Sequence, residues 1–305
     1  MSRVLVIGAS SFVGSHLCRG LRDDYEVIGT WNLHKVRIDG VVPLRMPISR
    51  ETTLGEWIRA IRPHVVIYCA ALIDDREIQK DSMHAVYVNA EAPLLIAQEV
   101  KRLGGKFIYL STSKVFSGEH EGFYSEADEP TPRGTYGVTK RSAELNLEGL
   151  DHVFVVRLGT VYGLGSYRQS SDIISRLLKK IWVRDEQRLI FDEFRSFFSA
   201  DLIAPALKRL INARDVSQGI FHLAGPDKDS YYSFAKSLAN SFGLPTDSLT
   251  PVKGEEFHGS LAAAGGVRGN DLSLDGSKFC DTFHLRWPSL SESLIQLRKN
   301  LQQNF

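Results

Sequence analysis

Val4-Leu5-Val6-Ile7-Gly8-Ala9-Ser10-Ser11-Phe12-Val13-Gly14 changes its pattern midway. Val4 to Ile7 is an unbroken apolar run, as expected of a strand covered on both faces. Beyond the turn, Val13, Leu17 and Leu21 recur at helical spacing. Strand, glycine turn and helix, in that order, form a unit that can seat a dinucleotide pyrophosphate. Free N–H groups and the positive dipole end of the helix face the phosphates. Gly8 lets the turn close, and Gly14 lets the helix approach the strand. Ser11 stands between them, so its hydroxyl either reaches a phosphate or caps the helix.

The pattern repeats downstream. Glu26-Val27-Ile28-Gly29, Val65-Val66-Ile67-Tyr68, Phe107-Ile108-Tyr109-Leu110, His152 to Val156 and Gly219 to Leu223 read as buried strands. Helical segments alternate with most of them, including a long one from Met83 to Leu103 that carries Asn89. Alternation of this kind predicts a doubly wound parallel α/β sheet of Rossmann type. The expected division is a dinucleotide domain of residues 1–165 plus about 189–224, and a smaller C-terminal substrate lobe of 166–188 plus 225–305.

The chain has 305 residues and a formal net charge of +1, which does not suggest a general nucleic-acid or acidic-membrane binder. The apolar run Val65 to Ile73 is too short to span a bilayer. Cys18, Cys69 and Cys280 are odd in number and scattered, so neither a disulfide framework nor a zinc site is expected. No metal site and a cytoplasmic location are the resulting expectations.

Chemistry is expected around Thr135-Tyr136-Gly137-Val138-Thr139-Lys140. On a helix, Tyr136 and Lys140 share a face, and a lysine cation favours the phenolate and lowers the tyrosine pKa toward neutrality. Ser111-Thr112-Ser113 follows a strand end and can orient a carbonyl oxygen. For the cofactor, the expected contacts are Gly8, Ser10, Ser11, Phe12, Val13 and Gly14 in the turn, and Thr30, Asn32 and Lys35 after the second strand. Cys69, Ala70 and Ala71 at a later strand end, Asn89, Tyr136 and Lys140 complete the set. NAD-binding folds usually place an acidic residue after the second strand. Lys35 and Arg37 stand there instead, which favours NADP(H) over NAD(H).

Gly8-x-x-Ser11-x-x-Gly14, Cys69-Ala70-Ala71, Val88-Asn89-Ala90, Ser111-Thr112 with Val115-Phe116, Tyr136-Gly-x-Thr-Lys140 and Phe221-His222-Leu223-Ala224-Gly225 fall in order along nearly the whole chain. At these spacings the chain resembles the extended short-chain dehydrogenases/reductases. Within them it is most similar to the dTDP-4-dehydrorhamnose reductases and related nucleotide-sugar 4-ketoreductases. The resemblance implies that Tyr136 gives a proton to a ketone oxygen, Lys140 holds the nicotinamide ribose, and Thr112 orients the carbonyl. It further implies Arg195 and Arg268 on the diphosphate of a nucleotide-sugar substrate, and a homodimer. Two departures stand out: Ser113-Lys114 replaces the Asp-Tyr usual in this branch, and Thr160 stands where a tryptophan is common. A nucleotide-sugar epimerase with retained NAD is one alternative. The other is a non-catalytic regulatory subunit of the same fold, as in methionine adenosyltransferase.

Overall fold

The structure is a computed structural model and describes residues 1–35, 37–165, 173–216, 218–259 and 270–303. Its first half unfolds as the sequence suggests: β1 (Arg3–Ile7), α1 (Phe12–Leu21), β2 (Glu26–Trp31), β3 (Val41–Arg45), α2 (Leu54–Ile61) and β4 (Val65–Tyr68). Arg62 ends α2 in the left-handed conformation at φ 49°, and Pro63 prevents its continuation. Then come α3 (Asp75–Lys80), α4 (Ser82–Val86), α5 (Ala92–Arg102), β5 (Lys106–Thr112), α6 (Thr135–Leu147) and β6 (Val153–Leu158).

The remaining elements are β7 (Thr160–Tyr162), α7 (Ile173–Trp182), β8 (Gln187–Ile190), β9 (Phe194–Ser199), α8 (Ile203–Asn212) and β10 (Gly219–Leu223). They continue with β11 (Lys228–Ser230), α9 (Tyr231–Phe242), β12 (Leu249–Val252), α10 (Gly254–His258), α11 (Ser277–Phe283) and α12 (Leu290–Gln303). Seven strands form one sheet in the order β10-β6-β5-β4-β1-β2-β3. The pairs β4–β5, β1–β4, β1–β2 and β2–β3 run parallel. Strand order therefore reverses between β1 and β4, and the carboxyl ends of these two strands flank the crevice where such sheets bind ligands.

Continuous apolar runs place Leu5, Ile7, Val66, Tyr68, Phe107, Tyr109, Val153 and Val155 in one core with residues of α2, α5 and α6. Burying each such aliphatic side chain contributes about 1.5–3 kcal/mol. On the other side, α1 packs against α8.

The helix expected over Met83 to Leu103 is interrupted. Residues Tyr87–Glu91 form a π-helical turn between α4 and α5. A π turn widens the helix and shifts carbonyls away from their usual partners. Here the Tyr68 hydroxyl donates to the Val88 carbonyl at 2.6 Å, and the Tyr109 hydroxyl donates to the Asn89 carbonyl at 2.7 Å. Both tyrosines are fully buried.

The chain divides into two compact units whose boundaries differ from those expected. One holds Met1–Val115, Gly134–Arg157 and Ala200–Phe221; the other holds Phe116–Arg133, Leu158–Ser199 and His222–Phe305. Residues 116–133 join the second unit, as do β7 and β9, which pair with each other and with β11 in a separate three-stranded sheet. The second unit also carries a β8–β12 pair and its own core. There Phe197 stacks on Phe234 at 4.2 Å, among Tyr162, Leu177, Leu238 and Leu294.

Candidate active site

The turn after β1 is built so closely that side chains are excluded from it. Gly8 has φ +89°, and a Cβ there would lie 2.6 Å from the Ala70 nitrogen; a Cβ on Gly14 would lie 2.2 Å from the Gly8 oxygen. Ser11 caps α1, its Oγ accepting from the Gly14 N–H at 3.0 Å. Thr30 is buried beneath the turn, where its hydroxyl accepts from the Gly8 N–H at 3.1 Å. It supports the turn from below. Ala70 and Ala71, small and half-buried, follow β4, while Asn32 and Lys35 are exposed beyond β2. Ser10, Phe12 and Val13 are half-buried along the turn and the first helical residues. The cradle fits a dinucleotide pyrophosphate: it opens at a helix start, and the backbone packs so closely at Gly8 and Gly14 that no larger residue can stand there.

Asn89 is fully buried at the π turn. Its amide accepts from the Leu72 N–H at 2.9 Å and donates to the Leu72 carbonyl at 2.9 Å and to Thr139 Oγ1 at 3.0 Å. Asn89 therefore ties the segment after β4 to the helix that bears Tyr136 and Lys140.

The hydroxyl cluster after β5 divides. Ser111 and Ser113 are buried, and Ser111 Oγ donates to Glu144 Oε1 at 2.6 Å. Thr112 alone is half-exposed; its Oγ1 accepts from the Lys114 N–H at 3.3 Å. Beneath them Glu144 takes a fork from Arg157, Nε at 3.0 Å and Nη2 at 2.8 Å, both residues being buried. A paired, fully hydrogen-bonded buried charge of this kind fixes the strand–helix register.

Tyr136 and Lys140 lie on α6, which packs against β5 and the turn after it. Tyr136 is half-buried. Lys140 is 2% exposed; its Nζ donates to the Leu110 carbonyl at 2.6 Å and sits 3.9 Å from the centre of the Tyr109 ring. Burial pushes the Lys140 ammonium down to about 7, with Glu144 and Cys69 opposing the shift. Burial also pushes the Tyr136 phenol up. The expected lowering of the phenol by the lysine is thus not what the ligand-free protein shows: desolvation, which disfavours either charged form, dominates both groups. Tyr136 rests as a phenol, the form that can give a proton.

One contributor was not foreseen. Gly134 precedes α6 and has no side chain to cap it. The cap comes from Asp75, whose Oδ1 accepts from Thr135 Oγ1 at 2.5 Å and from the Tyr136 N–H at 3.2 Å. The two segments are 60 residues apart, so spacing carries no signal for the pair; the missing cap at Gly134 is the only hint. We expect Asp75→Ala to lose about 0.5–2 kcal/mol of stability and to lower turnover more than cofactor affinity. Thermal unfolding and a kcat against Kd comparison check this.

The two arginines fare differently. Arg195, on β9 of the second unit, is buried and donates to Glu193 Oε2 at 3.1 Å and to the Phe194 carbonyl at 2.6 Å. Glu193 also meets His258 Nε2 at 2.6 Å. The guanidinium expected on a diphosphate is here held in a buried ion-pair cluster. Arg268 lies outside the described residues. His222 is likewise buried, meeting the Asp275 carbonyl at 3.1 Å through Nδ1, with its backbone N–H donating to Glu126 at 2.8 Å. Among the described residues no group of three or more His, Cys, Asp or Glu is placed to hold a metal, and no helix is long and apolar enough to cross a membrane.

A backbone-walled helix N-terminus at the sheet's reversal point, with threonine, tyrosine and lysine along the neighbouring strand end and helix, defines a Rossmann-fold oxidoreductase of the short-chain dehydrogenase/reductase class. Comparison with known proteins sharpens this: the chain belongs to the family described as RmlD substrate binding domain, which matches residues 2–303. A dTDP-4-dehydrorhamnose reductase of Burkholderia thailandensis is 28% identical over 253 residues, covering 79% of this chain and 78% of that one. The methionine adenosyltransferase 2 subunit beta of Rattus norvegicus is 26% identical over 287 residues, covering 90% and 81%. Among solved structures, a dTDP-4-dehydrorhamnose reductase from Bacillus anthracis in complex with NADP superimposes with a TM-score of 0.82 at 22% identity, covering 98% of this chain and 99% of that one.

Proposed function

We propose that the chain reduces the 4-keto group of a nucleotide-activated deoxysugar, with Tyr136 as proton donor and NADPH preferred over NADH. The reading rests chiefly on the grouping of Thr112, Tyr136 and Lys140 in the same compact unit as the glycine cradle. The reductase names among its relatives support it.

Bound NAD(P)H would supply the hydride. The chain's residues do the rest. The Thr112 hydroxyl donates to the substrate carbonyl and fixes its direction. The Tyr136 phenol transfers its proton to the same oxygen as negative charge grows there. Lys140, when charged, stabilises the phenolate left behind, which takes a proton back from solvent before the next turnover. The backbone N–H groups at the start of α1 hold the pyrophosphate.

The preference for NADPH is carried by two cations at the ends of adjacent strands. Lys35 is exposed beyond β2. Arg45 ends β3, is the register partner of Trp31 at the end of β2, and lies 5.8 Å from the centre of the Trp31 ring. A guanidinium stacked in this way presents its fork to a 2′-phosphate. Titration by intrinsic fluorescence is expected to give tighter binding of NADPH than of NADH. Arg45→Ala should weaken NADPH by roughly tenfold and leave NADH little changed. Equal affinities in the wild type overturn the preference.

Turnover is tested with a panel of nucleotide-4-ketosugars, following loss of dihydronicotinamide absorbance. Silence across the panel with cofactor bound would favour a regulatory-subunit role, a reading kept open by the relative of that name.

A further inference from the structure

The residue after the hydroxyl cluster is a lysine pointed at the tyrosine. Lys114 is exposed, in the short turn Ser113–Val115 that follows β5. Its Nζ lies 5.4 Å from the centre of the Tyr136 ring, within the range in which a cation is drawn to an aromatic face. Its backbone N–H donates to Thr112 Oγ1, so one turn sets both the hydroxyl and the ammonium.

We propose that Lys114 is a second cation acting on Tyr136, stabilising the negative charge that develops on the phenol as its proton leaves. The inference deepens the reading of Tyr136 as proton donor and rests on it. The groups facing Tyr136 explain why a second cation matters. From its own helix comes Lys140, whose amine is engaged by the Leu110 carbonyl and the Tyr109 ring and whose charge is weakened by burial. Glu144 and Cys69 act on that amine in turn. From β5 comes Tyr109, whose phenol is pushed well up, first by burial and then by the neighbouring Tyr136. From the start of α3 comes the Asp75 carboxylate, bonded to the Tyr136 N–H, which opposes any further negative charge. Lys114 is exposed and approaches from the water side. Its attraction for a phenolate exceeds that for a phenol, so it favours the transition state over the ground state. Lys114 is therefore a positioning and electrostatic residue, acting through Tyr136.

The test uses the full chain with an acidified fluorotyrosine at position 136, whose phenol ionises where the protein stays folded, and follows its ¹⁹F signal against pH. K114M and, as a second neutral variant, K114Q are expected to raise the midpoint by roughly half a pH unit, a threefold change in ionisation constant, and K114R to leave it in place. An unchanged midpoint in both neutral variants overturns the proposal. On an accepted ketosugar, K114M should lower kcat roughly threefold with KM unchanged, and move the high-pH fall in rate upward, because the phenol keeps its proton longer. A change confined to KM would instead make Lys114 a substrate contact and overturn the proposal. A shifted midpoint with no ketosugar reduced supports Lys114's action on Tyr136 and overturns the reductase reading, so the two failures are distinct.

Discussion

Tyr136→Phe is expected to lower turnover at least ~100-fold while leaving cofactor affinity and the melting temperature close to those of the wild type. The substitution removes one oxygen and keeps the ring, so the contacts of α6 with β5 persist. Asp75 bonds to the backbone N–H of residue 136 and to Thr135, neither of which changes. Removing the hydroxyl also removes a group whose ionisation burial already disfavours, so no charge is left uncompensated. Steady-state kinetics on an accepted ketosugar, with cofactor titration and thermal unfolding in parallel, measure the three quantities. Wild-type turnover in this variant would show that the proton comes from elsewhere. For a regulatory subunit, partner-dependent activity would survive the change.

Lys140→Met should abolish most turnover and, at the same time, make stability less dependent on pH. An amine whose pKa falls on folding holds its proton more tightly in the unfolded chain. Between about 7 and the ordinary lysine value near ~10.4, the unfolded state therefore binds more proton, and stability rises with pH. Below about 7 both states are protonated and the full penalty of the buried ammonium remains. Methionine has similar length and no charge to desolvate. Its cost is an unpaired Leu110 carbonyl, since Glu144 keeps its fork from Arg157. The variant should melt at least ~2 °C above the wild type near pH 6 and lose that advantage near pH 9. Parallel pH slopes for the two proteins would mean that Lys140 is not the group responsible.

Local pattern carried the fold a long way. The shift from an unbroken apolar run to helical spacing located β1, the turn and α1, and Gly8 and Gly14 sit where close approach of backbone leaves no room for a Cβ. What stayed hidden depends on partners distant in the chain or on burial. Nothing in Arg195-Ser196-Phe197 reveals that Glu193, two residues earlier, will hold the guanidinium while also meeting His258. The Asp75 cap is equally silent, because it joins segments that meet only in three dimensions. The ionisation of Tyr136 and Lys140 was anticipated from their spacing, yet spacing carries no information on desolvation, and desolvation sets the sign for both. The unit boundaries were displaced for a similar reason: β9 is apolar enough for the main sheet, and only its pairing with β7 and β11 removes it.

The π turn at Tyr87–Glu91 bears on how this chain can change over evolutionary time. Such a turn is one residue more than a regular helix needs. Deleting one residue there would restore regular winding while α4 and α5 keep nearly their present phase, because the π turn already absorbs the extra residue. Ile96, Ala97 and Val100 would stay in the core, but the carbonyls that now accept from the Tyr68 and Tyr109 hydroxyls would be drawn back into the helix ladder. The segment can therefore lose a residue without turning its neighbours, and what holds the extra residue in place is the pair of buried tyrosine hydroxyls.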